Sequence, residues 1–189
     1  MKCLVTGHTR GIGKHIYECL LKHGHEVEGV SKSNGYDIET SYDIIINKAK
    51  TVDLFVNNAY VKDYQYRFLN DLNNSVKNIV TIGSSAGYYN VIDSVKQEYI
   101  INKSKLIHLN RRLVYTSNSN LLLLNVGLTE NASTDFGCSF EDITDMLMFW
   151  LSKPNISQID FSVKLSDTNI ELIEKDFNIK ISDYRDEFF

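Results

Sequence analysis

Short apolar runs alternate with stretches whose apolar residues recur every three or four positions, so strand-like and helix-like segments succeed one another down most of the chain. Lys2 to Thr6 reads as a buried strand. Ile12, Ile16, Cys19 and Leu20 then share one helical face that ends at Gly24, after the basic Lys22 and His23. Glu26 to Ser31 predicts a second strand, and Lys32-Ser33-Asn34-Gly35 a turn. Ile44, Ile45 and Ala49 suit a short helix whose start is marked by Thr40 and Asp43, ahead of a third strand at Val52 to Val56. A helix from about Asp63 to Ser75, a strand at Asn78 to Ile82 and a long helix from about Asp93 to Tyr115 follow. Leu121 to Leu124 is apolar on both faces, as a central parallel strand should be. Ser139 with Asp142 caps a helix carrying Ile143, Met146, Leu147 and Trp150, and Ile159 to Val163 closes the series. The alternation predicts an α/β fold: a doubly wound parallel sheet in a three-layer αβα arrangement, formed as a single domain over residues 1–165. Residues 166–189 are its charged C-terminal tail, with one more short helix near Ile170 to Phe177 and an aromatic end, Phe188-Phe189.

Composition narrows the function classes. With 189 residues, 43% of them hydrophobic and 11% aromatic, the chain suits one core. Twenty basic residues against 24 acidic ones leave a net charge of −4, so the cationic face that non-specific nucleic-acid binding needs is not expected. The three cysteines, Cys3, Cys19 and Cys138, are scattered without the spacing of a zinc or redox motif, which predicts no metal site and a reducing compartment. No apolar run approaches the roughly 20 residues that span a bilayer. A soluble, cytoplasmic protein without a membrane partner is expected.

Thr6-Gly7-His8-Thr9-Arg10-Gly11-Ile12-Gly13 lies between the first strand and the first helix. There, backbone without side chains can approach a pyrophosphate and present N–H groups at a helix N-terminus. The stretch resembles the short-chain dehydrogenase/reductase family, whose glycine pattern is TGxxxGIG, and the sheet is then expected to be of Rossmann type. Later segments keep the family order. Asn57-Asn58-Ala59 resembles the NNAG motif, with Tyr60 in place of glycine, a departure read as tightening the loop over the adenosine. Ile82-Gly83-Ser84-Ser85-Ala86-Gly87 supplies the strand-end serine: Ser84 by position, with Ser85 one residue away as the alternative. Tyr99 and Lys103 form YxxxK, and Asn125-Val126-Gly127-Leu128-Thr129 resembles the PG loop with Val126 replacing proline. YxxxK alone carries little, since about one such pair is expected by chance in a chain of this composition. The order of all five segments is what makes it informative.

The resemblance implies an NADP(H)-dependent oxidoreductase acting on a small carbonyl or alcohol, with Ser84, Tyr99 and Lys103 as the catalytic residues. Residues four apart share a helix face, so the Lys103 ammonium is expected to lower the pKa of Tyr99. Tyr99 would exchange a proton with the substrate oxygen, Ser84 would hydrogen-bond that oxygen, and Lys103 would also bind the nicotinamide ribose. By the same carry-over the cofactor is held by Gly7, Thr9, Arg10, Gly11, Ile12 and Gly13, by Lys32, Asp37 and Ile38, by Asn57 and Ala59, and by Gly127, Leu128 and Thr129. Arg10 and Lys32 place positive charge where a 2′-phosphate would lie, with no acid directly after the second strand, which favours NADP(H) over NAD(H).

Three segments are shorter than the resemblance implies: those after the second strand, between Asn57 and Ser84, and after Thr129. The second shortening removes the place of a fourth catalytic residue, an asparagine on a water-linked proton path from the lysine. Asn70, Asn73 and Asn74 are nearby in sequence, but no spacing assigns one of them. These shortenings leave open a second function, a dinucleotide-binding regulatory or structural protein with little turnover. Ile100, Leu106, Ile107, Leu113 and Val114 exceed one sheet-facing stripe on the long helix, which predicts a homodimer.

Overall fold

The computed structural model describes residues 1–88, 97–127, 129 and 138–161. Along these residues the elements are β1 (Lys2–Thr6), α1 (Gly11–Lys22), β2 (Glu26–Val30), α2 (Ile38–Ala49), β3 (Leu54–Asn57), α3 (Tyr64–Leu72), β4 (Asn78–Ser84), α4 (Gln97–Leu113), β5 (Asn120–Val126), α5 (Phe140–Ser152) and β6 (Gln158–Phe161). All the strands pair in parallel in one sheet of order β2-β1-β3-β4-β5-β6. From β2 the chain returns to the far side of β1 to form β3. The winding therefore reverses between β1 and β3, and a crevice opens above their carboxyl ends.

Burial explains why the strands are readable in the sequence. Every residue of β3 and β4 is buried, whereas β2, at the sheet edge, leaves Glu26 and Glu28 exposed. Helices α2, α3 and α4 cover one face around Leu4, Phe55, Phe68, Ile79 and Leu123, and α1 and α5 cover the other around Val5, Val56, Leu122 and Trp150. Neighbours such as Leu4 and Val5 thus serve opposite layers, as period-two side chains in a doubly covered sheet must. Helix α5 starts at the Ser139–Asp142 capping box expected from the sequence.

Three expectations need correction. Helix α2 begins at Ile38 and is capped by the Asp37 carboxylate, which accepts from the Glu39 N–H. Its backbone leaves helical values at Ser41, so the periodicity near Thr40 and Asp43 reports only the part after the kink. Ile44 points outward at 53% exposure, and Ile45, Ile46 and Ala49 form the buried stripe. In α4, Leu106, Ile107 and Leu113 are buried in the core, Ile100 is half-buried, and Val114 is 37% exposed just past the helix end. Three of the five residues behind the homodimer expectation are therefore core within one chain, while Ile100 and Val114 keep part of their surface exposed. The start of the long helix at Asp93, the tail helix, Phe188-Phe189 and the segment after Thr129 lie outside the described residues, as does Leu128.

Candidate active site

The glycine turn leaves β1 with Gly7 at φ +71° and Gly11 at φ +53°, left-handed values that an L side chain rarely adopts. Gly7 N–H donates to the Val30 carbonyl at 2.8 Å. Gly13 permits a close approach: a Cβ there would stand 2.3 Å from both the Gly7 carbonyl oxygen and Asn58 Nδ2. Asn58 donates to the Thr6 and Gly7 carbonyls, while the Asn58 and Ala59 N–H groups donate to Thr6 Oγ1. The loop after β3 is thereby stitched to the turn after β1. No side chain caps α1 and no acid lies in its first turn, in contrast to α2 and α5, and Thr9, Arg10 and Gly11 at its start are exposed. Such a cradle fits a pyrophosphate.

At the adenosine end the structure departs from the sequence reading. Lys32 Nζ lies 3.0 Å from Asp37 Oδ2, its side chain 86% exposed. An acid five positions along therefore does compete for Lys32, because the short 3-10 turn at Lys32–Asn34 folds the chain back. The Asp37 carboxyl is held below its usual range by Lys32 and by the Glu39 N–H. Ile38 and Asn57 are buried, and the Asn57 amide donates to the Gln65 carbonyl at 2.8 Å.

Ser84 is the last residue of β4, and Tyr99 and Lys103 rise from α4 beside it. Lys103 is 4% exposed and donates to Gln65 Oε1 at 2.7 Å and to the Ile82 carbonyl at 2.9 Å. Its Nζ stands 5.4 Å from the Tyr99 ring centroid and 5.5 Å from that of Tyr60. Tyr60 does not lie over the adenosine end: its ring meets that of Tyr99 edge-on at 4.7 Å. Burial pushes the Tyr99 phenol up, the Ser84 hydroxyl opposes part of that rise, and Tyr60 adds to it. The expected depression of Tyr99 by Lys103 is absent, because the amine sits over the ring and is itself brought down to about 7 by burial. Gly127 follows β5 in close quarters, where a Cβ would be 3.0 Å from the Phe161 carbonyl oxygen and 3.4 Å from Ser85 Oγ. Thr129 bridges to Cys138. Asn70, Asn73 and Asn74 lie at the end of α3, bonded among themselves and to the chain around Ser117, away from this cluster.

Sequence reasoning missed Thr6, Asn58 and Gln65. Gln65 had a legible signal: with Phe68, Leu69 and Leu72 it completes the buried stripe of α3, a polar residue in an apolar seam. Among the described residues no three or more His, Cys, Asp or Glu side chains cluster as metal ligands, and no helix is long and apolar enough to cross a membrane.

Burial of Lys103 makes stability depend on pH. The folded state releases its proton near pH 7, whereas an unfolded lysine holds one until about 10.4. Between those values unfolding takes up a proton, so stability rises with pH by up to about 1.4 kcal/mol per unit and is unaffected by this group below the window. Urea midpoints should increase from pH 7 to about pH 8, below the point near 8.5 where the unfolded chain begins to ionise Cys3, which burial pushes up to about 11 in the folded state and which therefore acts in the opposite sense above it. Lys103→Met should flatten the rise; an unchanged slope would mean that another group causes it.

The fold is that of short-chain dehydrogenases/reductases, as the order of the motifs leads one to expect. A UDP-N-acetylglucosamine 4-epimerase from Bacillus cereus is similar at TM-score 0.66 and 14% identity, over 95% of this chain and 86% of that one. The 3-alpha-hydroxysteroid dehydrogenase from Pseudomonas sp. B-0831, complexed with NADH, matches at 0.66 and 17%, over 85% of this chain and 95% of that one. A short chain dehydrogenase from Burkholderia cenocepacia J2315 in complex with NADP matches at 0.63 and 16%, again over 85% and 95%. No protein-family model and no curated protein matches the sequence.

Proposed function

We propose that the protein is a short-chain dehydrogenase/reductase that moves a hydride between NADP(H) and a carbonyl or alcohol, with Tyr99 as the proton donor and acceptor. The observation that carries this reading is the meeting of Ser84, Tyr99 and Lys103 at the carboxyl end of β4, in a fold whose glycine turn is closely packed and whose α1 lacks a side-chain cap. Bound nicotinamide supplies or accepts the hydride. Gly7, Gly11 and Gly13 with the first N–H groups of α1 hold the pyrophosphate, flanked by Thr9 and Ile12. Arg10 and Lys32 take a 2′-phosphate, and the Asp37, Ile38, Asn57 and Ala59 segments border the adenosine. Lys103 and the Gly127 and Thr129 backbone border the nicotinamide half. Tyr99, its pKa raised, stays protonated at neutral pH, which suits donation to a carbonyl oxygen better than abstraction from an alcohol. Ser84 donates to the same oxygen and fixes its position.

A second reading, a dinucleotide-binding protein with little turnover, is favoured by the Tyr60 ring crowding Tyr99. Purified protein incubated with NADPH and a panel of aldehydes, ketones and keto sugars separates the two: reductase activity consumes NADPH with at least one of them. Cofactor choice has its own test. Arg10→Ala should weaken NADPH binding about tenfold or more by calorimetry, since a charge-assisted phosphate contact contributes about 1.5–3 kcal/mol, and should leave NADH binding alone. Lys32→Ala should cost less, because Asp37 already offsets that charge. Equal affinity of the wild type for NADH and NADPH would overturn the preference.

A further inference from the structure

Gln65 is 3% exposed in the first turn of α3, and its side chain makes more hydrogen bonds than any packing role requires. Its Nε2 donates to the Asn57 carbonyl at 3.0 Å, the Asn58 carbonyl at 3.2 Å and the Ile82 carbonyl at 3.0 Å. Its Oε1 accepts from Lys103 Nζ, and Lys103 also donates to the Ile82 carbonyl, which closes a ring of three bonds between the two side chains and one strand residue. The amide orientation is forced, because the reverse would set N–H groups against the amine and the oxygen against three carbonyls. We propose that Gln65 is the positioning residue of Lys103, clamping its amino group to β4 two residues before Ser84 and leaving one N–H free to act in the cleft.

The geometry favours this over packing for three reasons. An ammonium has three donors, and the clamp uses two of them, so the direction of the third is set. An apolar side chain in the α3 seam would fill the same space but cost Lys103 one of its two acceptors and the buried Asn57 carbonyl a donor, at about 1–3 kcal/mol for each group left short. The contact also needs no water. In the shortened segment between Asn57 and Ser84, an amide four residues along from Val61 reaches the amine directly, where the family resemblance implies a water-linked asparagine. Among the described residues the titratable neighbours of Lys103 are the Tyr60 phenol from the loop after β3 and Tyr99 from α4 itself; burial lowers its proton affinity, and the Gln65 oxygen opposes that by accepting from the amine.

The proposal rests on Lys103 belonging to the site described above, but its test does not require turnover. In cofactor-free protein labelled with carbon-13 in lysine and glutamine, the Lys103 Cε signal, assigned by its loss in Lys103→Met, should titrate near neutrality. The Gln65 side-chain carbonyl should move with the same midpoint. Gln65→Leu removes the acceptor that favours the protonated amine and should lower that midpoint; Gln65→Glu sets a negative charge against it and should raise the midpoint by about one unit or more. A residue that merely packs would lower stability in both variants and leave the midpoint where it is. If neither variant folds, the shared titration in the wild type decides, and a Gln65 carbonyl signal that stays still while Lys103 titrates overturns the assignment. If the clamp is confirmed but no carbonyl compound is reduced, the reductase reading fails and the positioning role stands.

Discussion

Tyr99→Phe should abolish carbonyl reduction while leaving NADPH affinity within about twofold of the wild type. A positioned general acid contributes about 10²–10⁴-fold to rate. Ser84 can donate a hydrogen bond but is a far weaker acid, and the Lys103 amine is engaged by Gln65 and the Ile82 carbonyl. The phenyl ring keeps the edge-on contact with Tyr60, so the fold should be undisturbed. Initial rates and a binding titration on the same preparation check both halves of the expectation. Retained activity would hand the proton to another residue, with the Tyr60 hydroxyl first in line.

Gly13→Ala should damage both the fold and the cofactor cradle. Its Cβ would have to occupy a point 2.3 Å from the Gly7 carbonyl oxygen, a backbone atom held in turn by Asn58. Relief requires α1 to lift from the turn after β1. Overpacking of this kind costs about 1–3 kcal/mol, and the lift also opens the cradle, so NADPH binding should fall by more than tenfold. Gly11→Ala is the informative contrast. Nothing lies within 4 Å of a Cβ there, and the cost is confined to its positive φ, about 1–2 kcal/mol. Thermal melts of the two variants, with and without NADPH, compare them; a Gly13→Ala protein as stable and as well stabilised by NADPH as the wild type would show that α1 and the turn are loosely packed.

Much of this architecture is legible in the sequence, and the reason is physical. Strands covered on both faces are mostly apolar, as at Leu54 to Val56 and Leu121 to Leu124, and an unbroken apolar run between turn residues suits few alternatives to a buried strand. The capping box at Ser139 is a local device whose partners lie within a few residues, and the glycines at 7 and 11 mark a turn whose positive φ values are a local requirement. What stays hidden depends on chain returning through space. The pairing of Lys32 with Asp37 needs the 3-10 turn between them. The kink at Ser41 shifts the apparent start of α2, and the outward Ile44 reads as core because it adjoins Ile45. In α4 the apolar residues look excessive because nothing in the pattern shows α3, which shares that face of the sheet, packing beside it. Gln65 belongs to a third kind: its place in the α3 stripe is visible, but its partner lies 38 positions away.

Hydride transfer itself can be followed with NADPH carrying deuterium at both positions of nicotinamide C4, incubated with the carbonyl compound that supports turnover. The alcohol formed by the wild-type protein should carry deuterium on its carbinol carbon, and the Tyr99→Phe protein, with the same cofactor bound, should form none. Alcohol free of deuterium, or tight NADPH binding with no carbonyl compound of the panel reduced, would contradict the assignment of this chain as a reductase.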